Sequence, residues 1–202
     1  MNKNLTEMPG YKYYEYLLVL NPHEDLRNKI INIKKEFHAN YDAPTAIWGK
    51  PHITLATCKV FQMKEDRIVN RLKVVAMGMP PFKVALKDYG SFPSHTVFIN
   101  VTSKEPIEKL VKELRKSRQL MKSPEYDPYF IDQPHLTVAR KLSSDQYDKS
   151  WLEYSQRSFT GSFIADGMLL LKRREGDKAY QIVQRFEFMN LPVTTKQGVL
   201  FM

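Results

Sequence analysis

Cysteine is nearly missing from this chain: a single thiol, Cys58, in 202 residues. One thiol closes no intrachain disulfide, so a disulfide scaffold is excluded and a reducing compartment such as the cytoplasm is expected. Long apolar runs are missing too. No stretch approaches the ~20 residues of a membrane-spanning helix, so no membrane partner is expected. The polar N-terminus carries no apolar segment followed by a small-residue cleavage site. The usual metal-binding patterns are absent: no His-x-x-x-His, no His-Glu-x-x-His and no cysteine cluster. A serine-hydrolase elbow and a glycine-rich phosphate loop are likewise lacking. There is no low-complexity segment and no long linker at which to cut the chain into independent domains. The expectation is a monomer that uses neither metal nor other cofactor.

What is present is ordinary in bulk and unusual in one detail. Hydrophobic residues make up 43% and charged residues 26%, as in a globular protein with a substantial core. The net charge of +9 favours an anionic partner and says nothing about fold. The unusual detail is a phrase that occurs twice. Residues 51–56 read Pro-His-Ile-Thr-Leu-Ala and residues 134–139 read Pro-His-Leu-Thr-Val-Ala. Both stretches are rich in aliphatic and β-branched residues and predict strands. Strand alternation puts His52, Thr54 and Ala56 on one face, and His135, Thr137 and Ala139 on one face of the other strand. Ile53, Leu55, Leu136 and Val138 then point into a core. Each phrase sets an imidazole beside a hydroxyl.

The elements around the phrases repeat in order. Residues 13–20 predict a strand, and 23–38 a helix with Leu26, Ile30, Ile31, Ile33 and Phe37 apolar. A loop over 39–50 leads to the first phrase strand, 51–60. Residues 64–77 form a helix, and 82–89 with 96–101 a hairpin. The second pass has an amphipathic helix at 105–120, an aromatic-rich loop at 121–133 and the second phrase strand. A helix to about 154 follows, capped from Ser143-Ser144-Asp145, and then strands at 161–164, 168–172 and 179–188. The segment 1–12 is a loose lead-in, and the tail from Leu191 to Met202 fits no pattern. This is a degenerate duplication within one domain spanning 1–202. It predicts an α+β, bilobal, pseudo-twofold fold: two small, mostly antiparallel sheets backed by helices, with the phrase strands facing each other across a central cleft. The approximate lobes are 13–103 and 104–188, and strands can be exchanged between them.

Two histidines around one substrate can divide acid and base duties, and two hydroxyls can donate to phosphoryl oxygens. That set suits metal-free cleavage of a phosphodiester, most simply a 2′,3′-cyclic phosphate. Cys58 falls on the His52 face if the strand alternates strictly, yet a lone strand cysteine is more often packing. His23, His38 and His95 lie near helix ends and in a turn, as solvated or capping residues do.

The twin His-aliphatic-Thr-aliphatic phrases resemble the signature of the 2H phosphoesterase superfamily, in its 2′-5′ RNA ligase-like branch. The resemblance covers residues 13–188 in element order and is confined in identity to the phrases and their flanks. It implies a bilobal α+β fold and action, without a metal, on 2′-5′ linkages or 2′,3′-cyclic phosphates. It implies His52 and His135 as the acid/base pair and Thr54 and Thr137 as phosphate binders. The partner would be an RNA 3′ end or a nucleotide cyclic phosphate. Arg140 follows the second phrase as in many members, whereas Thr57-Cys58 follows the first with no matching arginine, and the first strand is rich in tyrosine. Strict alternation sets Arg140 opposite His135 unless the strand bulges. Tyr129 and Phe130 are candidates to stack on a base, and Lys172 to line a basic rim, with packing or a solvated turn as the alternatives. Two other functions remain open from sequence: a non-catalytic RNA-end binding module, and a cyclic phosphodiesterase for a small molecule of ADP-ribose type.

Overall fold

A computed structural model describes residues 10–192. Most of the unpatterned tail and most of the N-terminal lead-in therefore lie outside the described residues. Among the described residues there are nine strands and five α-helices. The first half contains β1 (Tyr13–Leu20), α1 (Glu24–Tyr41), β2 (Ile53–Phe61), α2 (Glu65–Gly78), β3 (Phe82–Phe92) and β4 (Thr96–Val101). Then come α3 (Lys104–Arg115), α4 (Arg118–Met121), β5 (Tyr129–Phe130), β6 (His135–Arg140), α5 (Ser144–Tyr154), β7 (Thr160–Ala165), β8 (Gly167–Arg174) and β9 (Gln181–Glu187). The charged helix expected over 105–120 breaks into α3 and α4 around Lys116 and Ser117.

The strands form one path, β7-β3-β4-β6-β2-β1-β8-β9, with β5 beside β2 and every pairing antiparallel. The two phrase strands are the central neighbours, joined by the single pair Ile53↔Leu136. The α+β antiparallel architecture is as expected, with one correction. The phrase strands do not face each other across space; they lie side by side and stitch two four-stranded halves into one sheet. Each half also draws on both ends of the chain. The hairpin β3–β4 pairs with the second phrase strand, and β8–β9 flank β1 beside the first. The equivalence is close: β1 pairs with β2 as β4 pairs with β6, so Leu20↔Ile53 corresponds to Ile99↔Leu136.

The helices bury their apolar stripes against one face of this sheet. Leu26, Ile30 and Phe37 of α1, Ile68 and Leu72 of α2, and Ile107, Leu110 and Leu114 of α3 join one cluster. With them are Leu18, Leu20, Ile53, Leu55, Leu136 and Val138. Removal of this much apolar surface from water is the main drive to fold. Helix α5 starts at a capping box. Ser143 Oγ accepts from Gln146 N–H at 3.2 Å, and the Gln146 side chain accepts from Ser143 N–H at 3.0 Å. Gln146 also donates to the Asp42 carbonyl at 2.6 Å, tying α5 to the end of α1. Ser143→Ala therefore costs about 1 kcal/mol, read as a lower urea midpoint with an unchanged slope.

Candidate functional site

The four phrase residues meet on the sheet face opposite the main core. Ile53 and Leu136 are fully buried on the helix side, so their neighbours in each strand point the other way. Continuing the antiparallel register one residue each way from Ile53↔Leu136 sets His52 opposite Thr137 and Thr54 opposite His135. Directly opposed side chains stand about 5 Å apart at Cβ. The imidazoles and hydroxyls thus occupy alternate corners of one small square. All four are partly exposed.

Both phrase strands carry a bulge at the same place. Leu18 pairs with Ala56 and Val19 with Thr54, which leaves Leu55 as an extra residue. Val97 pairs with Ala139 and Phe98 with Thr137, which leaves Val138 extra. A bulge inserts one residue and so exchanges the faces beyond it. Three expectations change. Ala56 and Ala139 leave the histidine face and are buried in the core. Cys58 follows Ala56 into the core, where burial pushes its thiol up to about 12, so it is no nucleophile. Thr57 and Arg140 turn onto the histidine face instead. Arg140 is exposed there, near enough for its charge to act on His52.

Each ring is held in the same way. His52 Nδ1 lies 2.8 Å from the Lys50 carbonyl, and His135 Nδ1 lies 2.7 Å from the Gln133 carbonyl. A carbonyl only accepts, so Nδ1 carries the proton and Nε2 keeps its lone pair. Burial holds both pKa values below the ordinary histidine range, opposed in each case by that hydrogen bond. At His52 the charges of Lys34, Arg140 and His135 lower it further. At His135 the walls are aromatic: the Phe92 and Phe98 rings lie 5.0 Å and 4.9 Å from the imidazole, centroid to centroid.

The other sequence candidates divide. Tyr129 pairs with Thr57 across β5–β2 and is 53% exposed, so it stands at the edge of the histidine face. Its neighbour Phe130 is 4% exposed and belongs to the core, because adjacent strand residues point oppositely. Phe130 is thereby removed as a stacking residue. Lys172 pairs in register with Tyr16, on the helix side. Its ammonium is taken by Glu65 at 2.7 Å and 2.9 Å, and Tyr16 Oη donates to the same carboxylate at 2.9 Å. A lysine so committed on the wrong face does not line the site.

Sequence reading missed Lys34, Arg173 and Tyr180. Arg173 bonds Glu15 at 2.6 Å and lies 4.7 Å over the Tyr180 ring. Burial raises the Tyr180 phenol, and the charge of Arg140 acts on it weakly in the opposite sense, so this pair faces Arg140 from the β8–β9 half. Among the described residues no group of three His, Cys, Asp or Glu side chains is arranged to hold a metal. Nor is any described helix long and apolar enough to cross a membrane.

The profile of the 2′-5′ RNA ligase superfamily matches residues 21–177. The chain belongs to that superfamily. This is the 2H phosphoesterase group that the twin phrases resemble. A Bacillus licheniformis protein whose provisional name is phosphoesterase is 31% identical over 138 residues, covering 66% of this chain and 75% of its own. Among solved structures, E. coli LigT covers 88% of this chain and 98% of its own at 18% identity, with a TM-score of 0.64 for the apo form. Its complex with 3′-AMP gives 0.60. Kluyveromyces marxianus Usb1 shares 12% identity over 89% of this chain and all of its own, at a TM-score of 0.55. The family makes this protein an enzyme of the 2H phosphoesterase type.

Two predictions follow from the site's packing and charge. A Cβ at Gly90 would sit 2.5 Å from Phe98 Cε2 and 2.6 Å from Asn100 Oδ1. Gly90→Ala should thus displace the ring that walls His135, at about 1–3 kcal/mol, measured by denaturant unfolding. The second concerns acid stability. Both folded-state histidine pKa values lie below the unfolded value of about 6.5. As pH falls through that value the unfolded chain takes up protons first. The stability held above it is then lost progressively, down to the folded pKa values. The double variant His52→Gln, His135→Gln should show a flatter stability profile in that window, measured by urea midpoints from pH 7 to pH 5.

Proposed function

We propose that this protein is a metal-independent phosphoesterase of 2′-5′ or 2′,3′-cyclic phosphodiester bonds in RNA ends or a small nucleotide. The observation that carries this reading is the matched pair of rings, each with Nδ1–H tied to the carbonyl two residues before it. That bond leaves both Nε2 atoms free on one face, each across from a threonine hydroxyl. Paired proton shuttles of this kind need no metal to run an in-line displacement at phosphorus.

With a 2′,3′-cyclic phosphate between them, one neutral imidazole takes a proton from water as the water oxygen bonds to phosphorus. The other, protonated, gives its Nε2 proton to the ribose oxygen as the P–O bond breaks. The product is a phosphomonoester, and exchange with solvent resets the pair. Thr54 and Thr137 donate to the phosphoryl oxygens, and Arg140 adds a fixed positive charge nearby. Ligation uses the same pair with a 5′-hydroxyl in place of water: the hydroxyl gives its proton to the neutral imidazole as its oxygen bonds to phosphorus, the ribose 3′-oxygen leaves with the other ring's proton, and a 2′-5′ phosphodiester remains. Tyr129, exposed beside Thr57, is offered as a platform for a base. The LigT complex with 3′-AMP supports a nucleotide ligand, since that ligand is a ribose phosphomonoester. The net charge of +9 supports an anionic one, with RNA 3′ ends included. The lone cysteine, buried and inert, accords with a cytoplasmic monomer.

The test is hydrolysis of a 2′,3′-cyclic mononucleotide and of an oligonucleotide with the same end, in excess chelator. Turnover beyond one equivalent is expected, with a bell-shaped pH profile. His52→Ala and His135→Ala should each lower kcat by roughly a hundred-fold or more while leaving the melting curve intact. Binding without turnover would mean an RNA-end module instead. A steep loss of oligonucleotide affinity with salt, absent for the mononucleotide, would identify a polynucleotide substrate.

A further inference from the structure

The two phrases are near copies, yet the surroundings of their histidines are not. Behind His52 stands Lys34 of α1. It occupies the apolar stripe of that helix, in line with Leu26, Ile30 and Phe37, and is only 6% exposed. Its ammonium reaches the carbonyls of Trp48 and Gly49 at 3.4 Å and 3.1 Å. Among the described residues no carboxylate neutralises it. The next carbonyl along that strap, Lys50, is the one that accepts from His52 Nδ1. Trp48 itself is 61% exposed and Gly49 has a left-handed φ of 74°, so neither residue's own side chain anchors the strap.

We propose that Lys34 is a positioning residue for His52. It ties down the strap that orients the ring and sets a positive charge beside His52 with no counterpart at His135, so that His52 serves as base and His135 as acid. The division into base and acid rests on the phosphoesterase reading; the coupling of Lys34 to His52 does not.

The groups that face each ring bear this out from every side. His52 is met by Lys34 from α1 and by Arg140 and His135 from β6, all of which disfavour a proton on it. His135 is met by two phenyl rings, from β3 and β4, and among the described residues by no cation that lowers its pKa. Aromatic rings at that distance accommodate an imidazolium. Lys34 is held down to about 8, by burial first and by Arg140 second, so it still carries its charge at neutral pH. An acid/base pair works when the environments push the two pKa values apart, the lower one being the base.

The experiment is side-chain NMR of the histidines in the full-length protein, by long-range proton–nitrogen correlation, with assignments from His52→Gln and His135→Gln. In the wild type both neutral rings should be Nδ1–H tautomers, and His52 should titrate at lower pH than His135. In Lys34→Met the His52 midpoint should rise toward about 6.5 and its tautomer become mixed, while His135 stays where it was. Lys34→Arg should keep the wild-type behaviour. The acidic limb of kcat/KM should move with His52 in Lys34→Met, which a loss of packing alone would not produce. The proposal is overturned if wild-type His52 titrates at or above His135, if both histidines or neither move in Lys34→Met, or if Lys34→Arg moves His52 as far. Should Lys34→Met fail to fold, the wild-type titration order decides alone. The expected NMR pattern in a protein with no phosphoesterase turnover would sink the catalytic reading and leave the Lys34–His52 coupling standing.

Discussion

One extra residue in each central strand governs where everything else on the histidine face can stand. Ile53 and Leu136 pair and point into the core, which forces His52, Thr54, His135 and Thr137 to the other side. Without the bulges at Leu55 and Val138 the same alternation would continue, bringing two alanines, Cys58 and Lys141 onto that face. With them, Thr57 and Arg140 come over, and Ala56, Ala139 and Cys58 go under. The bulge also bends its strand. Beyond the single shared pair β2 takes β5 as its neighbour, while the Arg140 carbonyl is met by Thr45. The two halves diverge beside the histidine face.

The carbonyl two residues before each histidine acts within this frame. It fixes which nitrogen carries the proton, and so turns a residue with two possible donors into one with a defined acceptor. A strand face alone would leave the ring free to rotate about its Cβ–Cγ bond. The strap that supplies the carbonyl therefore matters as much as the motif. At His52 that strap rests on a buried lysine, and at His135 the ring rests on two phenylalanines.

Much of this was legible in the sequence, for a physical reason in each case. A repeated phrase of alternating aliphatics announces two equivalent strands, helix periodicity marks α1, α2 and α3, and a capping sequence marks α5. An exchange of strands between halves could be allowed for, but which hairpins cross was not legible, because strand order depends on pairing across distant residues and leaves no local pattern. The bulges were invisible as well: Leu55 and Val138 are ordinary strand residues, and only the register of the neighbouring strands reveals the extra one. Arg140 could be allowed onto the site only as an exception to alternation. Lys172 and Phe130 misled because a charge or an aromatic ring next to a motif looks available until its face is known. Lys34 did leave a trace, as a lysine spaced four residues beyond Ile30 and three before Phe37 on an apolar stripe. The solvated stem of a neighbouring lysine looks the same in sequence, whereas Ile33, which the apolar spacing assigns to the core, is only half-buried.

A duplicated motif poses a difficulty for any reaction that needs an acid and a base at once. Two identical imidazoles in identical surroundings would carry one proton between them equally on either ring, so neither would be fixed as base or as acid. The phrases are too alike to supply the difference, since each offers the same ring, hydroxyl and carbonyl. The difference therefore has to come from outside the repeat. Here it is supplied by residues that the duplication did not preserve: a lysine where the helix calls for an aliphatic, an arginine where the other strand has Thr57, and a phenyl wall beside one ring alone. The repeat builds the pocket, and the residues that depart from the repeat give its two ends different chemistry.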